Sequence, residues 1–175
     1  MKTNRLILFL LLLPFAVSAQ QDLTTRTKIG DHVPVFTFET AKGKQASIAD
    51  YKGKLILINL FATWCPPCNE ELPLMQKLVW EKYKDNPNFA LFIFGREEGW
   101  DKLTPYKTKK GFTFPILPDL NRAIFSKFAT QSIPRNILVD ETGKIIYQSI
   151  GYSEKEFAEL QELIRQKLEP VAKAK

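Results

Sequence analysis

A nearly unbroken apolar run, Leu55-Ile56-Leu57-Ile58-Asn59-Leu60-Phe61, leads within four residues into Cys65-Pro66-Pro67-Cys68. Continuous apolar character over so short a stretch marks a strand buried on both faces, central in its sheet. From Cys65 to about Tyr83 the chain opens with prolines, places glutamates in its first turn and repeats apolar residues at Leu72, Met75, Leu78 and Val79. That pattern is a helix starting at the cysteines. Pro73 removes an amide donor inside it and is expected to kink it. Asn86-Pro87-Asn88 ends the helix, and Phe89 to Phe94 is again apolar throughout. Strand, helix, strand in this order is satisfied by a right-handed parallel crossover, so the centre of the chain is α/β.

The flanks extend this core. Val35 to Glu39 alternates, Ala41-Lys42-Gly43-Lys44 supplies turn chemistry, and Gln45 to Ile48 returns, which predicts a small N-terminal hairpin. Trp100, Leu103 and Tyr106 recur at intervals of three and predict a helix from about Trp100 to Gly111. Short strands are expected at Phe114–Leu117, Ile137–Asp140 and Lys144–Ile150, a helix at Asn121–Phe128, and a last helix at Glu154–Leu168, where Phe157, Leu160, Ile164 and Leu168 fall on one face. Phe89, Phe92, Phe94, Phe112, Phe114, Phe125 and Phe128 are expected in the core.

At 175 residues the chain is long enough for one domain with a substantial core. Residues 1–19 stand apart: Lys2 and Arg5 precede an apolar run from Leu6 to Phe15, followed by Ala16-Val17-Ser18-Ala19. This reads as a secretory signal peptide, since the run falls short of the roughly 20 residues a membrane span needs and Pro14 interrupts it. Residues 20–32 read as an extended lead-in and 33–170 as the folded domain. The mature protein is expected in the periplasm or another exported compartment. Losing two cations and no acid with the leader takes the formal charge from +6 to +4. The remaining cations are scattered among acids, which argues against a nucleic-acid partner, and a monomer is expected.

An exported protein usually employs cysteines as staples, yet this one has two, only three positions apart. A bridge over so small a loop stabilises little by chain entropy. Thiol–disulfide exchange needs an attacking thiolate and a second thiol near enough to resolve the mixed disulfide. At a helix start Cys65 would stand near the N-cap, exposed and facing the positive end of the dipole, with Cys68 shielded in the first turn. Cys65 is therefore the expected nucleophile and Cys68 the resolving thiol. Pro67 has no amide hydrogen, so only Cys68 can donate locally to Cys65. A less stabilised thiolate makes a poorer oxidant, which predicts a reductant. Glu71, three residues past Cys68 on the same face, can exchange a proton with the resolving thiol; acids in a first helical turn also simply favour the dipole, as Glu70 does.

Taken together, Asn59-Leu60-Phe61-Ala62-Thr63-Trp64-Cys65-Pro66-Pro67-Cys68, Glu71, Pro73 and Ile133-Pro134 resemble the thioredoxin superfamily, and within it the exported TlpA/ResA group. The resemblance implies a thioredoxin-like fold, a central mixed sheet flanked by helices, with an N-terminal hairpin and a helical insertion before Phe114. It implies that Ile133-Pro134 is a cis bond facing the cysteines, and that Trp64, Pro66, Pro67, Ile133 and Pro134 form the substrate surface. It links the position of Glu71 to the active site. Thioredoxin itself has a buried aspartate where this chain has Asn59, which cannot titrate. Arg135 departs from the small polar residue common after that proline; a solvated charge is expected there, with thiolate stabilisation or contact with an acidic substrate as the alternatives. No cofactor is implied. The resemblance implies protein disulfides of the cell envelope as substrates, cytochrome c maturation as one setting, and a membrane thiol-reductase of the DsbD or CcdA type as electron donor.

Two other functions compete. Gly30-Asp31-His32-Val33-Pro34-Val35-Phe36 resembles the opening of peroxiredoxins, but a peroxidatic cysteine needs threonine or serine three residues before it, and Ala62 stands there. Two cysteines supply half of a zinc site, and His32 is the only histidine. A copper(I) chaperone needs fewer ligands and stays open, while no resident metal is expected. A redox-inert domain that merely kept the fold is disfavoured by the presence of both cysteines.

Overall fold

A computed structural model describes residues 23–169. The expected leader at 1–19 and the first residues of the lead-in lie outside them. Among the described residues no helix is long and apolar enough to cross a membrane.

The hairpin forms as β1 (Thr37–Ala41) and β2 (Lys44–Ser47), paired antiparallel in a two-stranded sheet of its own. Ser47 and Asp50 then close a reciprocal cap on a 3-10 turn, Ile48–Tyr51. β3 (Leu55–Phe61) is buried at every position, as its composition requires. It lies at the centre of a five-stranded sheet of order β5-β4-β3-β6-β7, parallel to β4 (Phe89–Arg96) and antiparallel to β6 (Arg135–Val139). β5 (Ile116–Asp119) pairs parallel with β4, and β7 (Ile145–Ile150) antiparallel with β6. The sheet is mixed and the fold thioredoxin-like.

Side chains along β3 alternate between two cores. Leu55, Leu57 and Phe61 join Leu72, Met75, Val79, Leu103, Phe157, Leu160 and Ile164 on one face. Ile56, Ile58 and Leu60 join Phe36, Phe38, Ile48, Phe125 and Phe128 on the other. Asn59 is in register with the first set, so a buried amide is aimed at the face that α1 covers. All seven phenylalanines expected in the core are buried.

The helix after the cysteines runs as α1 (Pro66–Leu74), a π-helical stretch (Met75–Trp80) and α2 (Glu81–Tyr83). Pro73 lies inside α1 without ending it, and the irregularity falls beyond it, in a wide turn where Glu81 N donates to Gln76 O. α3 (Trp100–Lys110) is the helical insertion. It lies so close to β4 that a Cβ on Gly95 would meet Leu103 Cδ2 at 2.5 Å. The helix expected over Asn121–Phe128 shrinks to α4 (Phe125–Phe128), because Arg122 takes a left-handed φ of 57° and the Asp119 carboxylate caps Ile124 N and Phe125 N at 2.9 and 2.8 Å. α5 (Glu154–Leu168) forms with Ser153 as N-cap.

The lead-in is extended but fastened along the domain. Arg26 N donates to Phe128 O, Gly30 N to Ile145 O and Val33 N to Gly143 O, with isolated bridges Thr25 to Ala129 and His32 to Lys144.

Candidate active site

Parallel pairing brings the C-terminal ends of β3, β4 and β5 to one edge of the sheet, and antiparallel pairing brings the start of β6 and the end of β7 to that same edge. The cysteine motif, the Ile133-Pro134 bond and Gly151 therefore converge. Cys65 and Cys68 form a disulfide with Cα atoms 5.3 Å apart. Cys65 is the N-cap of α1, and Cys68 N donates to Cys65 Sγ at 3.3 Å. Pro66 and Pro67 occupy the first helical positions without amide hydrogens.

Ile133-Pro134 is cis. Ile133 packs against the cluster that holds both cysteines, and Pro134 O accepts from Gly151 N at 2.8 Å. Trp64 is 63% exposed, with the Arg96 guanidinium 5.5 Å from its ring centroid. Pro66 is exposed and Pro67 half-buried. Cys65, expected at the surface, is only 2% exposed, and Cys68 is fully enclosed. In the disulfide Cys65 belongs to the core cluster on which Ile133 packs.

Glu71 is 1% exposed. Asn59 Nδ2 donates to its Oε2 at 2.9 Å, and Asn136 Nδ2 donates to its Oε1; the two asparagines are joined by Asn59 Nδ2 to Asn136 Oδ1 at 2.9 Å. Burial opposes ionisation while the two amides favour it. Burial is the larger effect and pushes the carboxyl up to about 7. No hydrogen bond joins Glu71 to either sulfur, so any exchange with Cys68 needs a relay or a small movement once the disulfide opens.

Arg135 is corrected outright. It is neither a surface charge nor a thiolate partner: it is buried, donating through Nε to Gln131 O and Ser132 O, through Nη1 to Thr25 Oγ1 at 2.7 Å and through Nη2 to Thr24 Oγ1 at 2.7 Å. His32 is exposed and bridges to Lys144, at the sheet edge opposite the cysteines. Among the described residues no group of three or more histidine, cysteine, aspartate or glutamate side chains is arranged to hold a metal. A groove of about 700 Å³ between α3, β5 and Trp80 contains neither cysteine; exchange with a protein disulfide calls for an accessible surface rather than that groove.

Two residues escape sequence reasoning. Asn136 follows Arg135 at the start of an apolar strand, and a polar residue inside a buried run was the signal available. Glu98 sits in the charged string Arg96-Glu97-Glu98, which reads as solvated loop, yet it is buried against Thr63.

Residues 28–164 match the family described as Redoxin. The thiol-disulfide oxidoreductase ResA of Bacillus anthracis is 31% identical over 164 residues, covering 89% of this chain and 94% of the relative. The thioredoxin-like protein YneN of Bacillus subtilis is 34% identical over 116 residues, 66% of this chain and 68% of that one. Among solved structures, a protein-disulfide-isomerase candidate from Bacteroides thetaiotaomicron superposes with a TM-score of 0.80 at 35% identity, over 85% of this chain and 94% of that chain. StoA of Bacillus subtilis superposes at 0.62 with 24% identity, over 75% and 97%. A buried disulfide capping a helix at the end of a central strand, opposite a cis-proline, is shared ground for thiol–disulfide chemistry, and the chain belongs to the Redoxin family as a TlpA/ResA-like thiol–disulfide oxidoreductase of the thioredoxin superfamily.

Proposed function

We propose that the protein is exported and works as a reductant of disulfides in cell-envelope proteins, in a setting such as cytochrome c maturation. The observation that carries the direction is the single amide, Cys68 N, donating to Cys65 Sγ. A thiolate with one local donor is less stabilised than one with two, which raises its pKa and lowers the reduction potential.

In the reduced protein the Cys65 thiolate attacks one sulfur of the substrate disulfide. A mixed disulfide forms and the other substrate sulfur leaves as a thiolate, taking a proton. Cys68 then loses its proton, with Glu71 as the base, and attacks Cys65 Sγ. The second substrate sulfur leaves as a thiolate and takes the Cys68 proton from Glu71 as the Cys65–Cys68 disulfide closes; two electrons have passed to the substrate, with one proton from Cys68 and the other, which Cys65 gave up on ionising, from solvent. Trp64, Pro66, Pro67, Ile133 and Pro134 form the surface on which the substrate lies, the backbone of Ile133 pairing with it. A membrane thiol-reductase of the DsbD or CcdA type restores the dithiol, and the protein acts as a monomer. The leader supplies export.

A redox titration in glutathione buffers tests the direction. A reductant is expected near thioredoxin, roughly −270 mV, and a value near the strongly oxidising roughly −120 mV sinks it. Cys68→Ser leaves Cys65 unresolved, so partners accumulate as mixed disulfides. Envelope proteins with paired cysteines are the expected catch; recovering none from cells that contain the variant overturns the assignment of partners.

A further inference from the structure

The residues between β3 and α1 carry the nucleophile without belonging to either element. Their backbone groups are held by side chains reaching in from outside. Cys65 N donates to Ala62 O at 3.2 Å, and Cys65 O accepts from Asn69 N at 3.1 Å and from Asn69 Nδ2 at 2.9 Å. Asn69 Nδ2 also donates to Thr63 O at 3.0 Å, and the Tyr106 hydroxyl on α3 donates to Asn69 Oδ1 at 3.0 Å. Thr63 N and Thr63 Oγ1 both donate to one carboxylate, that of Glu98, at 2.9 and 2.6 Å.

Glu98 is 2% exposed, and among the described residues no cation pairs with it. A buried carboxylate without a counter-charge is expensive, and a packing role could be filled by a neutral side chain. The backbone is bent to deliver it: Glu97 takes a left-handed φ of 63°, and Glu98 N donates to Gly95 O at 3.2 Å, which turns the chain back under the loop at the end of β4. Only Trp64 separates Thr63 from Cys65, and the Cys65 N to Ala62 O bond folds the segment into a turn, so the two Cα atoms lie within about 7 Å, the limit for two residue steps. At that range in a partly dry interior a fixed negative charge opposes a second one on Cys65.

Resting on the reading of Cys65 as the attacking thiol, we propose that Glu98 is a positioning residue that fixes the nucleophile loop through Thr63 and, as a fixed anion beneath it, holds the Cys65 thiolate less stable and the couple more reducing. Charged and titratable groups near the loop include Tyr106 on α3, Glu70 and Glu71 on α1, and Arg96, which lies over Trp64 and pairs with Glu97. Arg96 acts in the opposite sense to Glu98. Tyr106 is pushed up to about 12 by its burial and by the Glu98 charge, so it stays a neutral donor.

Two variants in the full protein give opposite signs. Glu98→Gln removes the charge while keeping an acceptor; the Cys65 pKa, from the pH dependence of iodoacetamide alkylation, falls by about one unit, a tenfold change in ionisation. The reduction potential rises by up to about 30 mV, the equivalent of a tenfold change in a two-electron couple. Thr63→Val keeps the charge and deletes the hydroxyl donor that offsets it, so the pKa rises and the potential falls, while Thr63→Ser stays at the wild-type values. Loosening of the loop alone would move both variants the same way, and that outcome, or no movement in either, overturns the proposal. If Glu98→Gln does not fold, the sign of the Thr63→Val shift decides alone. Mapping the alkylated residue separates the two readings: first labelling at Cys68 refutes Cys65 as the nucleophile, whereas labelling at Cys65 with unshifted values refutes the role of Glu98.

Discussion

Asn59 and Glu71 were each legible as single letters, and their meeting was not. Asn59 interrupts an apolar run and Glu71 follows the second cysteine by three, but only the sheet register that aligns Asn59 with Asn136 brings both amides to the same carboxyl. The chemistry has a measurable cost. A carboxyl at about 7 in the folded protein and near 4.5 unfolded means that the folded state binds the extra proton between those values. Stability is therefore full below about pH 4.5 and declines as pH rises to about 7, by an amount on the order of 3 kcal/mol. Glu71→Gln should abolish this decline, making urea midpoints at pH 5 and pH 8 more nearly equal than in the parent protein, and should flatten the pH dependence of disulfide reduction near 7. A second residue-scale prediction concerns the missing donor. Pro67→Ala restores an amide at the second helical position, so the Cys65 thiolate gains a partner and the potential should rise by tens of millivolts in a glutathione titration, about 30 mV for each tenfold. An unchanged potential would leave the reductant reading without its physical basis.

Elements were legible wherever one periodicity ran without interruption. β3, β4 and α5 fall where the pattern put them, because burial on both faces or on one helical stripe leaves a signal that tertiary contacts only reinforce. β1 starts two residues later than expected and β6 two earlier, and the largest misreading of an element lies between Phe112 and Arg135, where long-range capping decides. Asp119 reaches forward to cap α4 and shortens it, and β5 begins at Ile116 rather than Phe114. Arg135 is the largest departure. A solvated charge is the expectation at a position where the family often has a small polar residue, but the acceptors that enclose it come partly from Thr24 and Thr25, more than a hundred residues away. It ties the lead-in to the Gln131-Ser132 carbonyls just before the cis-proline, across a Ser132 held at a left-handed φ of 67°. Arg135→Gln should cost about 2–4 kcal/mol in urea unfolding, since several hydrogen bonds to a charged donor are lost together. Amide exchange should quicken in both the lead-in and residues 130–134; protection that falls in only one of them would mean that Arg135 does not couple the two.

For the molecule as a whole, a mixed sheet has two open edges, and each is an invitation to pair with another copy. β5 carries Pro118, which has no amide to offer, and packs against α3 and β1. β7 has no proline and carries three half-buried residues in a row, Ile146, Tyr147 and Gln148, so its protection comes from the lead-in: Ile145 N donates to Asp31 O and Gly30 N to Ile145 O, both at 2.8 Å, while Thr27 and Gln148 exchange two further bonds. Residues 20–30 lack periodicity and the lead-in reads only as extended, because isolated bridges and backbone bonds to partners far along the chain leave no pattern of side chains. Deleting residues up to Val33 would strip that cover. Each backbone bond is worth about 1 kcal/mol net, so the loss of those holding the lead-in should lower stability by a few kcal/mol. The bared β7 edge should then associate. Size-exclusion profiles across a dilution series should show concentration-dependent dimers or larger species for the truncated protein and not for the full chain. A truncated protein that stays monomeric and unfolds at the same urea concentration would show that β7 needs no cover and that the lead-in serves only as a tether.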